Sequence, residues 1–169
     1  DATDDPELWR TAHQWADRAA SAGLGVTMHV GEFGTTSIGP ALSTPGLRRI
    51  GHGTHAADDG ALLDELSRSG VTLECPLTCN VVLGSAPSYE DHPIRRFVEH
   101  VIPVTLATDL PMHVCTTIGR EYAVAALLGF SPAELLEFTR NALNGSFTTP
   151  TRKAVLLREL EKHSVVAPN

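Results

Sequence analysis

Short runs, most of them apolar, that close on a polar residue recur along this chain, and they restrict its fold more than any other feature. Val26-Thr27-Met28 leads into His29-Val30-Gly31-Glu32, Arg48-Arg49-Ile50 into Gly51-His52-Gly53, and Val104-Thr105-Leu106-Ala107 into Thr108-Asp109. A fourth run, Val71 to Cys75, closes on Pro76. Counted from His29, His52, Cys75 and Asp109, the run ends lie 23, 23 and 34 residues apart. Runs this short, rich in β-branched residues and bounded by glycine or proline, read as buried strands. Gly31 between His29 and Glu32 allows a backbone turn that a side chain would hinder.

Helical patterns fill the intervals. Glu7 to Ala22 carries Leu8, Ala12, Trp15, Ala16, Ala19 and Ala20 at helical spacing, with Asp4 or Asp5 as cap, Pro6 in the first turn and Gly23 as the stop. Asp1 to Pro6 itself reads as turn-like. Asp58 to Ser69 turns Leu62, Leu63 and Leu66 inward and ends at Gly70. Phe33 to Pro45 reads as a loop with one helical turn, and Leu77 to Ser88 as a loop. Helices are expected from His92-Pro93 to His100, from Thr117 to Leu128, from Ser131 to Leu143 and from Thr151 to His163. Ser131-Pro132-Ala133-Glu134 has the form of a capping box. Strand and helix thus alternate four times, which predicts an α/β fold with a parallel sheet and right-handed crossovers. All strand ends then share one face, the face that carries the active site in barrels of this type.

Composition narrows the partners. A length of 169 residues with 42% hydrophobic content suits one domain, 1–169, with a real core. A net charge of −7 disfavours the nucleic-acid backbone as partner. No apolar run approaches the roughly 18 residues that a membrane helix needs. Three cysteines without a dense pattern fit the reducing cytoplasm better than a disulfide framework.

His29, His52 and Asp109 stand at equivalent places in successive units, so a shared site is expected. A carboxylate at the end of an apolar strand is costly without compensation, and a metal ion offsets that cost. Neutral imidazole is a suitable co-ligand.

These stretches also resemble a known family. His29-Val30-Gly31-Glu32 is similar to the His-Ala-Gly-Glu motif of the adenosine deaminase family of amidohydrolases. Arg49-Ile50-Gly51-His52-Gly53 resembles its second histidine motif, and Glu74-Cys75-Pro76-Leu77-Thr78-Cys79-Asn80 its Glu-x-Cys-Pro-x-Ser-Asn segment. His92-Pro93-Ile94-Arg95, Thr108-Asp109-Leu110-Pro111 and Asn141 to Phe147 are similar to further family signatures, and the likeness runs from about Gly25 to Leu160 in the right order. The resemblance implies a (β/α)8 barrel with one Zn²⁺ that activates water against the amino-bearing carbon of a purine. It implies metal ligation by His29 and Asp109, with Asp109 also holding the water. It implies a proton from Glu32 to the ring nitrogen, and a water oriented and partly deprotonated by His52. Gly31 and position 110 would touch the substrate. Cys75 and Cys79 are expected to be packing and loop residues, because this is not a His/Cys zinc site.

Two departures from the family qualify this. Leu110 replaces a second aspartate that would accept a hydrogen bond from the purine, so an altered substrate or none is expected. The family's His-x-His pair does not occur, so the chain reads as strands five to eight of the eight, with extra C-terminal helices, and an N-terminal half is expected from elsewhere. Two ligands alone make a weak zinc site. Competing expectations are a non-catalytic relative that binds a nucleoside or partner, and an amidohydrolase acting on another amino-heterocycle, a lactam or an ester.

Overall fold

The computed structural model describes residues 5–164. Four strands, β1 (Val26–Val30), β2 (Leu47–His52), β3 (Thr72–Cys75) and β4 (Val104–Leu106), form one parallel sheet in the order β1-β2-β3-β4. Helices α2 (Ile38–Leu42), α3 (Gly60–Ser69), α4 (Leu77–Leu83) and α5 (Ile94–Glu99) lie in the connections, with a 3₁₀ turn at Thr54–Asp58. Helix α1 (Pro6–Ser21) precedes the sheet, and α6 (Ile118–Leu127), α7 (Pro132–Gly145) and α8 (Pro150–Ser164) follow it.

The strand register explains how one face comes to be polar. Met28, Ile50, Leu73 and Val104 align across the sheet, and the last three are fully buried against the helices. Side chains alternate along a strand. The next row, His29, Gly51, Glu74 and Thr105, therefore faces the opposite way. Leu63 and Leu66 of α3, Phe97 of α5, Ala125 of α6 and Phe138 of α7 complete the core on the helical side.

Most expected elements are present with shifted ends. β2 begins at Leu47, which pairs with Val26, and Arg48 falls at a register shift before Arg49 pairs with Thr27. Asp5 caps α1, accepting from the amides of Glu7 and Leu8; Asp1 to Asp4 lie outside the described residues. The face expected to be buried on α1 is only partly so. Ala16 is buried and Trp9 packs on the core, while Leu8 and Trp15 stay exposed, with Arg18 stacked on the Trp15 ring.

One expectation fails outright: Leu77–Leu83 is a helix rather than a loop. Pro76 occupies its N-cap position and Gly84, at φ +79°, ends it in the left-handed conformation. The Thr78 amide in its first turn is satisfied by the buried carboxylate of Glu121, 43 positions later in the chain. A partner at that distance leaves no mark on local sequence.

At α7 the expected capping box is complete. Ser131 N–H donates to Glu134 Oε2 at 2.7 Å, and Glu134 N–H donates to Ser131 Oγ at 3.3 Å. Glu134 also takes Arg95 Nη1 at 2.5 Å, which ties α7 to α5. Ser131→Ala is expected to cost about 1 kcal/mol. A urea titration checks this, and an unchanged midpoint would show that the box contributes nothing.

Candidate active site

The site is built from the turns that follow the strands. After β1 the chain reverses at Gly31, whose φ of +71° suits a residue without a side chain. A Cβ there would lie 3.0 Å from the Gly53 backbone and 3.0 Å from Ile38 Cδ1. The turns after β1 and β2 are therefore in direct contact. Two backbone hydrogen bonds lock them together, Gly53 N–H to Val30 O at 2.9 Å and His55 N–H to Gly31 O at 2.8 Å. Ser37 Oγ accepts the Gly31 N–H. Glu32 and His52 are held side by side as a result.

His52 and Asp109 both adopt left-handed backbone conformations, at φ +70° and +52°. Such conformations cost of order 1–3 kcal/mol for residues other than glycine, and they persist where the surroundings over-determine them. Here they turn two strand-end side chains toward one point. His52 Nε2 lies 3.6 Å from Glu32 Oε2 and 3.9 Å from Asp109 Oδ2. The His29 ring meets the His52 ring edge-on, with centroids 5.0 Å apart.

His29 owes its position to Gly51, its neighbour across the β1–β2 ladder. A Cβ at Gly51 would come within 2.5 Å of His29 Cδ2, so any side chain there would displace the ring. One ligand atom each from His29, His52 and Asp109 lies within 4.8 Å of the others. Two imidazole nitrogens and a carboxylate oxygen so disposed form a donor set suited to a divalent transition metal.

The surroundings are polar and mostly satisfied. Glu32 and His52 are buried, and His29 is exposed on the sheet face. In the same row as His29, Glu74 pairs with Arg49 Nη1 at 3.0 Å and accepts from Thr27 Oγ1 at 3.2 Å. Cys79 was expected to be a packing and loop residue, yet its thiol donates to Asp109 Oδ2 at 3.0 Å. Burial, reinforced by the Asp109 carboxylate, pushes the Cys79 thiol up to about 12, so it stays protonated as the donor. Cys75 lies in the core.

His29, Glu32, His52 and Asp109 thus come together at the carboxyl end of the sheet. Leu110 follows Asp109 directly and is 40% exposed. Gly31 contributes the turn described above. Two positions in the assembly were missed from sequence. Gly51 makes room for His29. Asn80 is fully buried in α4, and its side-chain amide lies 2.7 Å from His52 Nδ1. Both stand inside the stretches that resembled family motifs, which was the available signal.

Comparison with known proteins identifies the family of the chain. The family described as adenosine deaminase matches residues 3–163. An adenine deaminase of Rhizobium leguminosarum bv. trifolii (strain WSM2304) is 41% identical over 145 residues, covering 84% of this chain and 45% of that protein. The chain therefore spans about half the length of the curated relatives it matches. The crystal structure of adenine deaminase from Arthrobacter aurescens superposes with a TM-score of 0.87 at 27% identity, over 98% of this chain and 51% of that one. Arabidopsis ADAL complexed with IMP superposes with a TM-score of 0.82 at 26% identity, over 92% and 46% respectively.

Proposed function

The chain belongs to the adenosine deaminase family, and from that premise we propose that it carries the proton-handling part of a site for hydrolytic deamination of a purine-like compound. The observation that carries this reading is the convergence of His29, His52 and Asp109 within 4.8 Å, with Glu32 beside them at the carboxyl end of a parallel sheet. Purine chemistry is supported by the relatives named adenine deaminase and by the neighbour that holds IMP.

In the reaction, water adds to the amino-bearing ring carbon, one of its protons passes to the amino nitrogen, the C–N bond breaks and ammonia leaves, while the water's other proton restores Glu32. Glu32 is the acid for this step. Its proton goes to the adjacent ring nitrogen, so that negative charge does not build up in the ring as the carbon–oxygen bond forms. His52 orients the attacking water, and Asp109 accepts a hydrogen bond from it. His29 and Asp109 would hold a divalent ion, zinc by family. When bound, such an ion supplies the electrostatic activation that lowers a water's pKa to about 7.

Further ligands would come from an N-terminal half-barrel, in the same protein or in another chain. The coverage of the relatives supports this, as does the four-stranded sheet with exposed residues on β1. Residues 1–169 would then be one domain, the C-terminal part of the barrel. A cytoplasmic location belongs to the same proposal. Among the described residues no helix is long and apolar enough to cross a membrane.

Leu110 bears on the choice of substrate. Ammonia release by the complete zinc-loaded protein, measured over adenine, adenosine and other amino-heterocycles, tests the function. Activity on none of them would favour the non-catalytic reading. Leu110→Asp is expected to raise kcat/KM for adenosine at least about ten-fold, the worth of a hydrogen bond to a charged group. Efficient adenosine turnover by the unaltered protein would remove Leu110 from the specificity argument.

A further inference from the structure

Behind His52, away from the reacting centre, lies a buried chain of three polar side chains. The Asn80 amide sits between two imidazoles, 2.7 Å from His52 Nδ1 and 2.9 Å from His92 Nε2, and 3.0 Å from Thr54 Oγ1. His52, Asn80 and His92 are all buried. The far end of the chain is fixed by the backbone: Ile94 N–H points at His92 Nδ1 at 3.2 Å. A backbone amide can only donate, so His92 Nδ1 is an acceptor.

Polarity then propagates inward. Burial pushes His92 down to about 4, helped by the neighbouring His52, so the ring is neutral at physiological pH. A neutral imidazole with an accepting Nδ1 carries its proton on Nε2, and that proton needs an acceptor. Oxygen and nitrogen of an amide are nearly identical in shape, so the donors around Asn80 decide which faces which ring. The structure records Oδ1 toward His52, which would set Asn80 N–H against His92 N–H. Turning the amide over removes the conflict. Its oxygen then accepts from His92 Nε2–H and from the Thr54 hydroxyl, and its NH₂ group donates to His52 Nδ1.

We propose that His92 and Asn80 are positioning residues that hold His52 as the tautomer with its proton on Nε2, facing the reacting centre. Two carboxylates, Glu32 and Asp109, lie at 3.6 and 3.9 Å from that nitrogen. A proton on Nε2 is favourable beside the Asp109 carboxylate, whereas a lone pair there would face an acceptor. His52 then presents a donor rather than a base, and an Nε2 that carries hydrogen is not a metal ligand. The expected sharing of tasks changes accordingly. The water's proton goes to Asp109, and His52 steadies the oxygen. This division rests on the proposed function, but the tautomer does not.

The test is a ¹⁵N-histidine spectrum of the complete, metal-free protein, with the His52 signal assigned by its loss in His52→Gln. A pyrrole-type Nε2 and a pyridine-type Nδ1 are expected. The reverse pattern would overturn the proposal. Asn80→Asp replaces the amide by a group that only accepts, so His52 Nδ1 must become protonated, and kcat should fall about 10- to 100-fold with KM little changed. An unchanged His52 spectrum in Asn80→Asp would also overturn it. The wild-type spectrum decides even if that variant does not fold. Because the tautomer is read without turnover, a protein that releases no ammonia would sink the proposed function and leave this inference standing.

Discussion

Replacing Glu32 with Gln lowers kcat for ammonia release by about 10² to 10⁴, the usual worth of a positioned general acid. Gln has nearly the same shape and keeps the polar contact toward His52, so the turn at Gly31 should survive. What it loses is a proton that can be delivered to the ring nitrogen. Glu32 is not one of the residues, His29 and Asp109, that would hold the metal, so metal content should stay at the wild-type level. That combination separates a failed proton transfer from a damaged site. It is measured by steady-state kinetics beside elemental analysis of the same sample. A Gln variant with full activity would remove Glu32 from the chemistry, and one that lost its metal would make it a ligand.

Asp109→Asn is expected to act through the metal instead. The backbone at Asp109 is left-handed, at φ +52°, and Asn tolerates that conformation better than most residues. The amide oxygen can still accept from the Cys79 thiol. A neutral amide binds a divalent ion far less well than a carboxylate does, so metal per chain should drop. A catalytic ion supplies several kcal/mol. At about 1.4 kcal/mol per factor of ten, activity should fall roughly 10³-fold or more. Chelation of the wild-type protein should reproduce the loss, and added zinc should reverse it there but not in the variant. Full metal content and full activity in Asp109→Asn would mean that this carboxylate is not part of the site.

Much of this site was legible in advance because strand ends in a parallel α/β fold share one face. Once the runs ending at His29, His52 and Asp109 were read as strands of one parallel sheet, their carboxyl ends had to share a face. Helix α7 was equally plain, since Ser131 and Glu134 satisfy each other within four residues. Helix α4 was not, because its first turn depends on Glu121 from a distant helix. The exposed Leu8 and Trp15 on α1 show a similar limit. Spacing reveals that an apolar stripe exists, not what covers it.

Local pattern, then, determined most of the elements, their order and the identity of the polar strand ends, because each depends on neighbours a few residues apart, and the alternation of strand and helix implied the parallel sheet. Tertiary structure decided how those ends are aimed. The left-handed turns at His52 and Asp109, the space that Gly51 leaves for the His29 ring, and the amide of Asn80 behind His52 all depend on atoms from other elements. Position along the chain follows from covalent order, whereas the direction of a proton or a lone pair is set by whatever packs against it.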